Sequence, residues 1–246
     1  MSEKLFFDFH PYNLTILSKN EDKIVQLAHE QKIDSKQPFH QDELIDAIRP
    51  FSHKDSLPSF SWFSTEFTLI PNALFLPSEL GNYYRLNFGE LNPNVSLSYD
   101  AIYEGNLSLV YTIPKWLGDF KRSYFFSSKI IHHASCLIKN SLKSNYSDLI
   151  SIIYEGTSFI MCVKKNNKLL ICNSFEYQNE EDLIYFILSH HKQLELSENN
   201  TINFMSYIEE LNSEKVLGIV THFKELSGYS INFLNKSDYN TTLTCE

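Results

Sequence analysis

The chain has 246 residues, a net charge of −9, 43% hydrophobic residues, 14% aromatic residues and only 7 glycines. That length and apolar share can bury a core of one large domain or two ordinary ones, which excludes disorder and collagen-like structure. Residues 1–125 carry 11 basic and 16 acidic side chains and residues 126–246 carry 10 and 14, so neither half offers the basic footprint of a nucleic-acid binder.

The chain opens MSEKLFFDFH, with neither a basic n-region nor a long apolar stretch, and no apolar run reaches the ~20 residues of a membrane span. The expectation is a cytoplasmic protein without membrane insertion. Residues 5–27, LFFDFHPYNLTILSKNEDKIVQL, alternate apolar runs with polar breaks and predict three short strands joined by hairpins. Acidic Asp42 and Glu43 stand ahead of Leu44, Ile45, Ala47 and Ile48, a pattern that predicts a helix starting on the favourable end of its dipole. The aromatic segment Phe60-Ser61-Trp62-Phe63 reads as core or interface, and Glu66–Ile70 as the next strand of the unit. Residues 71–105 are punctuated by Pro71, Pro77, Gly81, Gly89 and Pro93 and read as an irregular insert. Residues 106–113 predict a strand, Pro114 a helix start, and residues 135–142 a second helix leading to a polar link.

Residues 149–171, LISIIYEGTSFIMCVKKNNKLLI, then repeat the beginning at a constant offset of 145 without a gap: Leu14 matches Phe159, Ile16 matches Met161, Lys19 matches Lys164 and Lys23 matches Lys168. The turn Asn166-Asn167 supplies side chains that tolerate left-handed backbone. Asn179-Glu180-Glu181-Asp182 precedes an apolar helical stripe, and residues 201–205 read as the closing strand. Residues 214–226 are helical in pattern and 229–234 strand-like. The unit is strand-strand-strand-helix-strand, used twice, which divides the chain into subdomains 1–145 and 146–246. Cys136, Cys162, Cys172 and Cys245 show no metal-ligand spacing, and Cys162 and Cys172 sit in apolar runs as small hydrophobes. The pairs His132-His133 and His190-His191 do not read as metal sites, because adjacent side chains diverge on a helix or strand and no third ligand stands at useful spacing.

The second copy, LLICNSFEYQNEEDLIYFILSHHKQLEL, resembles the signature segment of an uncharacterised bacterial family, a domain of unknown function. The stretch TEFTLIPNALF (Thr65–Phe75) is similar to that family's threonine-leucine-x-Pro-x-x-Leu-Phe pattern. Structurally known relatives have an actin-like ATPase fold, so the resemblance implies an α/β chain of two ribonuclease-H-like subdomains around a cleft. It also implies where a nucleotide would sit. Active members place an Asp-x-Gly turn after the first strand of each half, the aspartate positioning a hydrated Mg²⁺ and the small residues admitting phosphate. Here the second half has Tyr154-Glu155-Gly156-Thr157, with tyrosine at the aspartate position. The first half has Phe9-His10-Pro11-Tyr12-Asn13, without glycine and with a proline that lacks the N–H a phosphate needs. Phe204-Met205-Ser206-Tyr207 stands where a glycine pair would open to adenine.

The resulting expectation is a non-catalytic actin-like scaffold or interaction module with a degenerate nucleotide site, no cofactor and a protein partner. The alternative is a nucleotide-binding switch taking Mg-ATP in the cleft, with Asp8, Glu155, Gly156 and Thr157 beside the ligand. For Asp8 and Glu155 the plain reading is an acidic group that is solvated or caps a turn at a strand end, and for Gly156 a hairpin turn.

Overall fold

A computed structural model describes residues 4–10, 13–19, 25–32, 46, 58–155, 158–196, 201–206 and 230–234. The chain packs as two units, one of Met1–Ala101 with Asn106–Cys136, the other of Ile102–Gly105 with Leu137–Cys245. The division thus falls at Cys136/Leu137, inside a helix and ahead of residue 145.

In the first unit β1 (Lys4–Phe9), β2 (Asn13–Lys19) and β3 (Val25–Lys32) form an antiparallel meander. Strand β4 (Ser59–Trp62) adds parallel to β1, and β8 (Ile130–His132) parallel to β4, giving the order β3-β2-β1-β4-β8. A separate three-stranded sheet has the order β5-β7-β6, from β5 (Phe67–Pro71), β6 (Val95–Ile102) and β7 (Leu107–Pro114). Two findings correct the sequence reading. The closing strand of the repeat is β4, whereas Phe67–Pro71 belongs to the smaller sheet; four residues buried on both faces leave no alternation to read. The supposed irregular insert holds three 3₁₀ turns, helix α1 (Leu80–Phe88) and the eight residues of β6. Helix α1 buries only Tyr84, so it lacks the apolar stripe that would have announced it, and Gly89 ends it at a φ of 80°.

Helix α2 (Lys115–Tyr124) follows Pro114 as expected and buries Leu117 and Phe120. Its side chains join an aromatic layer on one face of the main sheet, with ring centroids 5.9 Å apart for Phe9–Trp116, 6.4 Å for Phe60–Phe120 and 5.2 Å for Phe7–Phe60. Of the two places the sequence allows, core or interface, Phe60, Trp62 and Phe63 take the core. Helix α3 (His133–Lys143) starts directly after β8.

The second unit repeats the first sheet. Strands β9 (Leu149–Glu155), β10 (Ser158–Lys165) and β11 (Lys168–Glu176) form the meander, and β12 (Thr201–Ser206) and β13 (Ser230–Leu234) add in parallel, giving β11-β10-β9-β12-β13. The offset of 145 holds to the residue: Phe9 pairs with Leu14 in one hairpin and Tyr154 with Phe159 in the other. Asn166 and Asn167 take φ values of 50° and 61°, the two-residue turn their side chains favour. Helix α4 (Glu180–Gln193) covers Ile150, Ile152, Phe159, Met161 and Val163 with Leu183, Ile184 and Ile187. Its start is fixed by Asn179, whose side chain accepts from the Asp182 N–H at 2.9 Å, while Asp182 accepts from the Gln178 N–H at 2.9 Å. Cys162 and Cys172 face one another across β10 and β11 and are buried as free thiols. Of the first-copy helix only Asp46 is described, and it is helical. The turn at residues 20–22 and the helix at 214–226 lie outside the described residues.

Candidate functional site

Strand β1 is buried on both faces. Phe7 and Phe9 enter the aromatic layer, while Asp8 and His10, two residues apart, share the opposite side. Parallel register sets Ser61 of β4 beside Asp8, and the Ser61 hydroxyl donates to Asp8 Oδ1 at 2.5 Å. The His10 N–H closes the β1–β2 hairpin on the Asn13 carbonyl at 2.8 Å, and the His10 ring places Nε2 2.6 Å from Asp8 Oδ2. His133, the first residue of α3, brings its own Nε2 to 2.6 Å from Asp8 Oδ1, across 125 residues of sequence. Asp8 and His133 are 0% exposed and His10 is 1% exposed. The imidazole centroids are 4.6 Å apart, and Phe63 walls both rings at 6.4 Å from His10 and 5.7 Å from His133.

Burial by itself would raise the pKa of the Asp8 carboxyl, but the two imidazoles beside it outweigh burial and hold it well below the usual carboxylate range. Asp8 is therefore an anion at neutral pH, held by two ring nitrogens and one hydroxyl. The ligand-capable atoms of Asp8, His10 and His133 all lie within 4.8 Å of one another, the dimension of a single metal ion's coordination shell.

A second carboxylate fixes the position of His133. Asp100 Oδ2 accepts from the His132 N–H at 2.8 Å and the Ser135 hydroxyl at 2.6 Å, which pins the first turn of α3 to β6. The Tyr111 hydroxyl donates to Asp100 Oδ1 at 3.1 Å and reaches the Ile130 carbonyl at 2.9 Å. His132 itself points elsewhere. Its Nδ1 accepts from the Ala134 N–H at 3.1 Å, its Nε2 lies 3.1 Å from the Ser64 carbonyl, and burial keeps the ring neutral.

The two adjacent histidines diverge, as expected, but the inference that His133 lacks further ligands does not hold. Asp8 and His10 are brought to it by the sheet topology, which spacing along the chain does not reveal. The Asp-x-His pair was the available signal, since residues two apart on a strand share a face. His190 is engaged within its own helix, with Nδ1 2.7 Å from the Phe186 carbonyl and its ring against Phe175. Of the other predicted site residues, Glu155 is buried at the end of β9 opposite Ser158, in a different unit from Asp8. Gly156 and Thr157 lie outside the described residues.

The repeat shows what this cluster is not. Carried across by the common register, Asp8 falls on Ile153, His10 on Glu155, and Ser61 on Met205. The second unit thus closes the same hairpin and the same parallel pair with buried Ile153 at the centre. A carboxylate between imidazoles is no requirement of the sheet.

The family described as "Protein of unknown function (DUF3822)" matches residues 3–225. The chain belongs to the DUF3822 family. The fold is that of the actin-like ATPases. A Bacteroides thetaiotaomicron protein with actin-like ATPase fold and unknown function is 19% identical, with a TM-score of 0.84 over 100% of this chain and 96% of its own. The cytoplasmic domain of EpsL, an inner membrane component of the type II secretion system of Vibrio cholerae, is 11% identical, with a TM-score of 0.56 over 100% and 96%. A structure of the PilM–PilN type IV pilus biogenesis complex contains a chain 9% identical, with a TM-score of 0.54 over 96% and 89%. No curated protein sequence matches. Among the described residues of this DUF3822 protein, no helix is long and apolar enough to cross a membrane.

Proposed function

We propose that this protein is a non-catalytic actin-like scaffold that binds a protein partner in the cytoplasm and does not turn over nucleotide. The observation that carries this reading is the engagement of Asp8. The one carboxylate on the first strand, in the region where an active relative keeps its metal-positioning aspartate, has both oxygens committed to His10, His133 and Ser61 inside the core. A hydrated Mg²⁺ needs an oxygen ligand open to water and to phosphate, and a carboxylate without exposed surface does not fit that role. The position corresponding to Asp8 in the second unit is Ile153, which has no ligand atom. Two structures of the same fold, from a secretion system and from a pilus biogenesis complex, belong to protein assemblies, which supports a partner-binding role.

The test is thermal unfolding of the whole chain with and without millimolar Mg-ATP, together with phosphate release. The scaffold reading expects no shift and no hydrolysis. A ligand at 100 times its Kd would add about 2.7 kcal/mol of stability, which is easily seen. Clear stabilisation that Gly156→Val abolishes would instead establish the nucleotide-binding switch, with Asp8, Glu155, Gly156 and Thr157 at its site.

A further inference from the structure

We propose that Asp8, His10 and His133 form a mononuclear binding site for a divalent transition-metal ion of the Zn²⁺ class. This goes beyond the scaffold reading and does not depend on it. Three elements supply the ligands: β1 gives a carboxylate oxygen, the residue after it one imidazole nitrogen, and the start of α3 the other.

The donor set selects the ion. Two imidazoles and one carboxylate suit Zn²⁺ and its neighbours, whereas Mg²⁺ and Ca²⁺ take oxygen ligands. Distances agree with a small adjustment. With metal–ligand bonds of about 2.1 Å, tetrahedral geometry separates ligand atoms by roughly 3.4 Å. The Nε2–oxygen pairs now stand at 2.6 Å and would open as the ion takes the place of the protons between them. Each imidazole would then carry its remaining proton on Nδ1. The Ser61 hydroxyl, 2.5 Å from Asp8 Oδ1, is the nearest further oxygen, either completing the shell or orienting the carboxylate. Without exposed surface the site is of the closed, structural kind.

Two further observations favour a ligand site over ordinary core packing. The second unit builds the same hairpin with Ile153, Glu155 and Met205 at the corresponding places, so the fold does not call for this cluster. Asp100, itself held by the Tyr111 hydroxyl, accepts from the His132 N–H and the Ser135 hydroxyl, which fixes the backbone on either side of His133.

The experiment uses the full chain, purified without a histidine tag. Metal content is measured by inductively coupled plasma mass spectrometry, and chelator-treated protein is titrated with Zn²⁺ and Co²⁺ by calorimetry and visible absorption. The expected result is one equivalent of metal per chain, with affinity reduced about 100-fold or more in His133→Gln and in His10→Gln. Absence of stoichiometric binding by the folded wild type overturns the proposal, as does wild-type affinity retained in both variants. Should the variants fail to fold, the Cu²⁺-loaded wild type decides by pulsed electron paramagnetic resonance. Two coordinated imidazoles support the site, and fewer than two refute it.

Discussion

Replacing Asp8 with Asn removes one charge and leaves shape almost unchanged, so it isolates what the anion contributes in the metal-free protein. The carboxylate receives two contacts from imidazole nitrogens at 2.6 Å and one from a hydroxyl at 2.5 Å. Hydrogen bonds to a charged partner contribute about 1.5–3 kcal/mol each. The asparagine oxygen can keep one of them, while its NH₂ group meets a second donor. Removing one partner from a buried charged set costs about 3–5 kcal/mol, and Asp8→Asn is expected in that range. Both tryptophans, Trp62 and Trp116, lie in the first unit, so tryptophan fluorescence follows the unfolding of that unit. With a urea dependence of about 2 kcal/mol per molar, the midpoint falls by about 2 M in the presence of chelator. A loss below about 1 kcal/mol would show that the carboxylate does not carry its two imidazoles, and the electrostatic account of the cluster would fall.

Asp100→Ala takes the acceptor from the His132 N–H and the Ser135 hydroxyl, while the Tyr111 hydroxyl retains the Ile130 carbonyl. Its expected cost is about 2–3 kcal/mol by the same fluorescence assay, and the double variant with Asp8→Asn loses less than the two single losses combined, because both act through His133. The Tyr84 phenol is pushed up from 10.0 to about 12, by burial first and then by its hydrogen bond to Glu66. An acid whose folded value lies above its unfolded one stabilises fully below the unfolded value and loses that contribution as pH rises to the folded one. Thermal midpoints of the wild type therefore fall more steeply between pH 10 and pH 12 than those of Tyr84→Phe; equal slopes would contradict the assignment. Asn179→Ala removes the cap of α4 and costs about 1 kcal/mol by far-UV circular dichroism in urea, while Asn179→Asp retains most of it.

The two meanders were legible because their signals are local. Alternation, a two-asparagine turn and an ungapped offset of 145 are properties of neighbouring residues, and the register of β1–β2 and β9–β10 follows them to the residue. What stayed hidden had lost its local signal. Strand β4 is four residues long and buried on both sides, so it reads as an aromatic cluster. Helix α1 contains Gly81 at a position where a side chain would meet nothing, and it exposes Leu86, so it shows neither a stripe nor strong propensity. The candidate site divides along the same line. Asp8 and His10 were visible as neighbours on one face, whereas the contact with His133 spans 125 residues and exists only because β8 adds beyond β4 and hands the chain directly into α3.

An internal duplication makes a control that most folds lack. Each half must solve the same problem of joining a first strand, a hairpin and a parallel neighbour, so features common to both belong to the architecture. The second half puts Ile153, at 0% exposure, where the first half has Asp8, so removal from water favours folding at that position without a charge to desolvate. The first half places an anion and two imidazoles in equivalent surroundings, at a desolvation cost of several kcal/mol that only close partners can offset. Sheet order and strand register are the same with and without that cost. Stability of the sheet therefore gives no reason for the cluster, and a bound ion, which would turn the desolvation cost into ligand-binding energy, does.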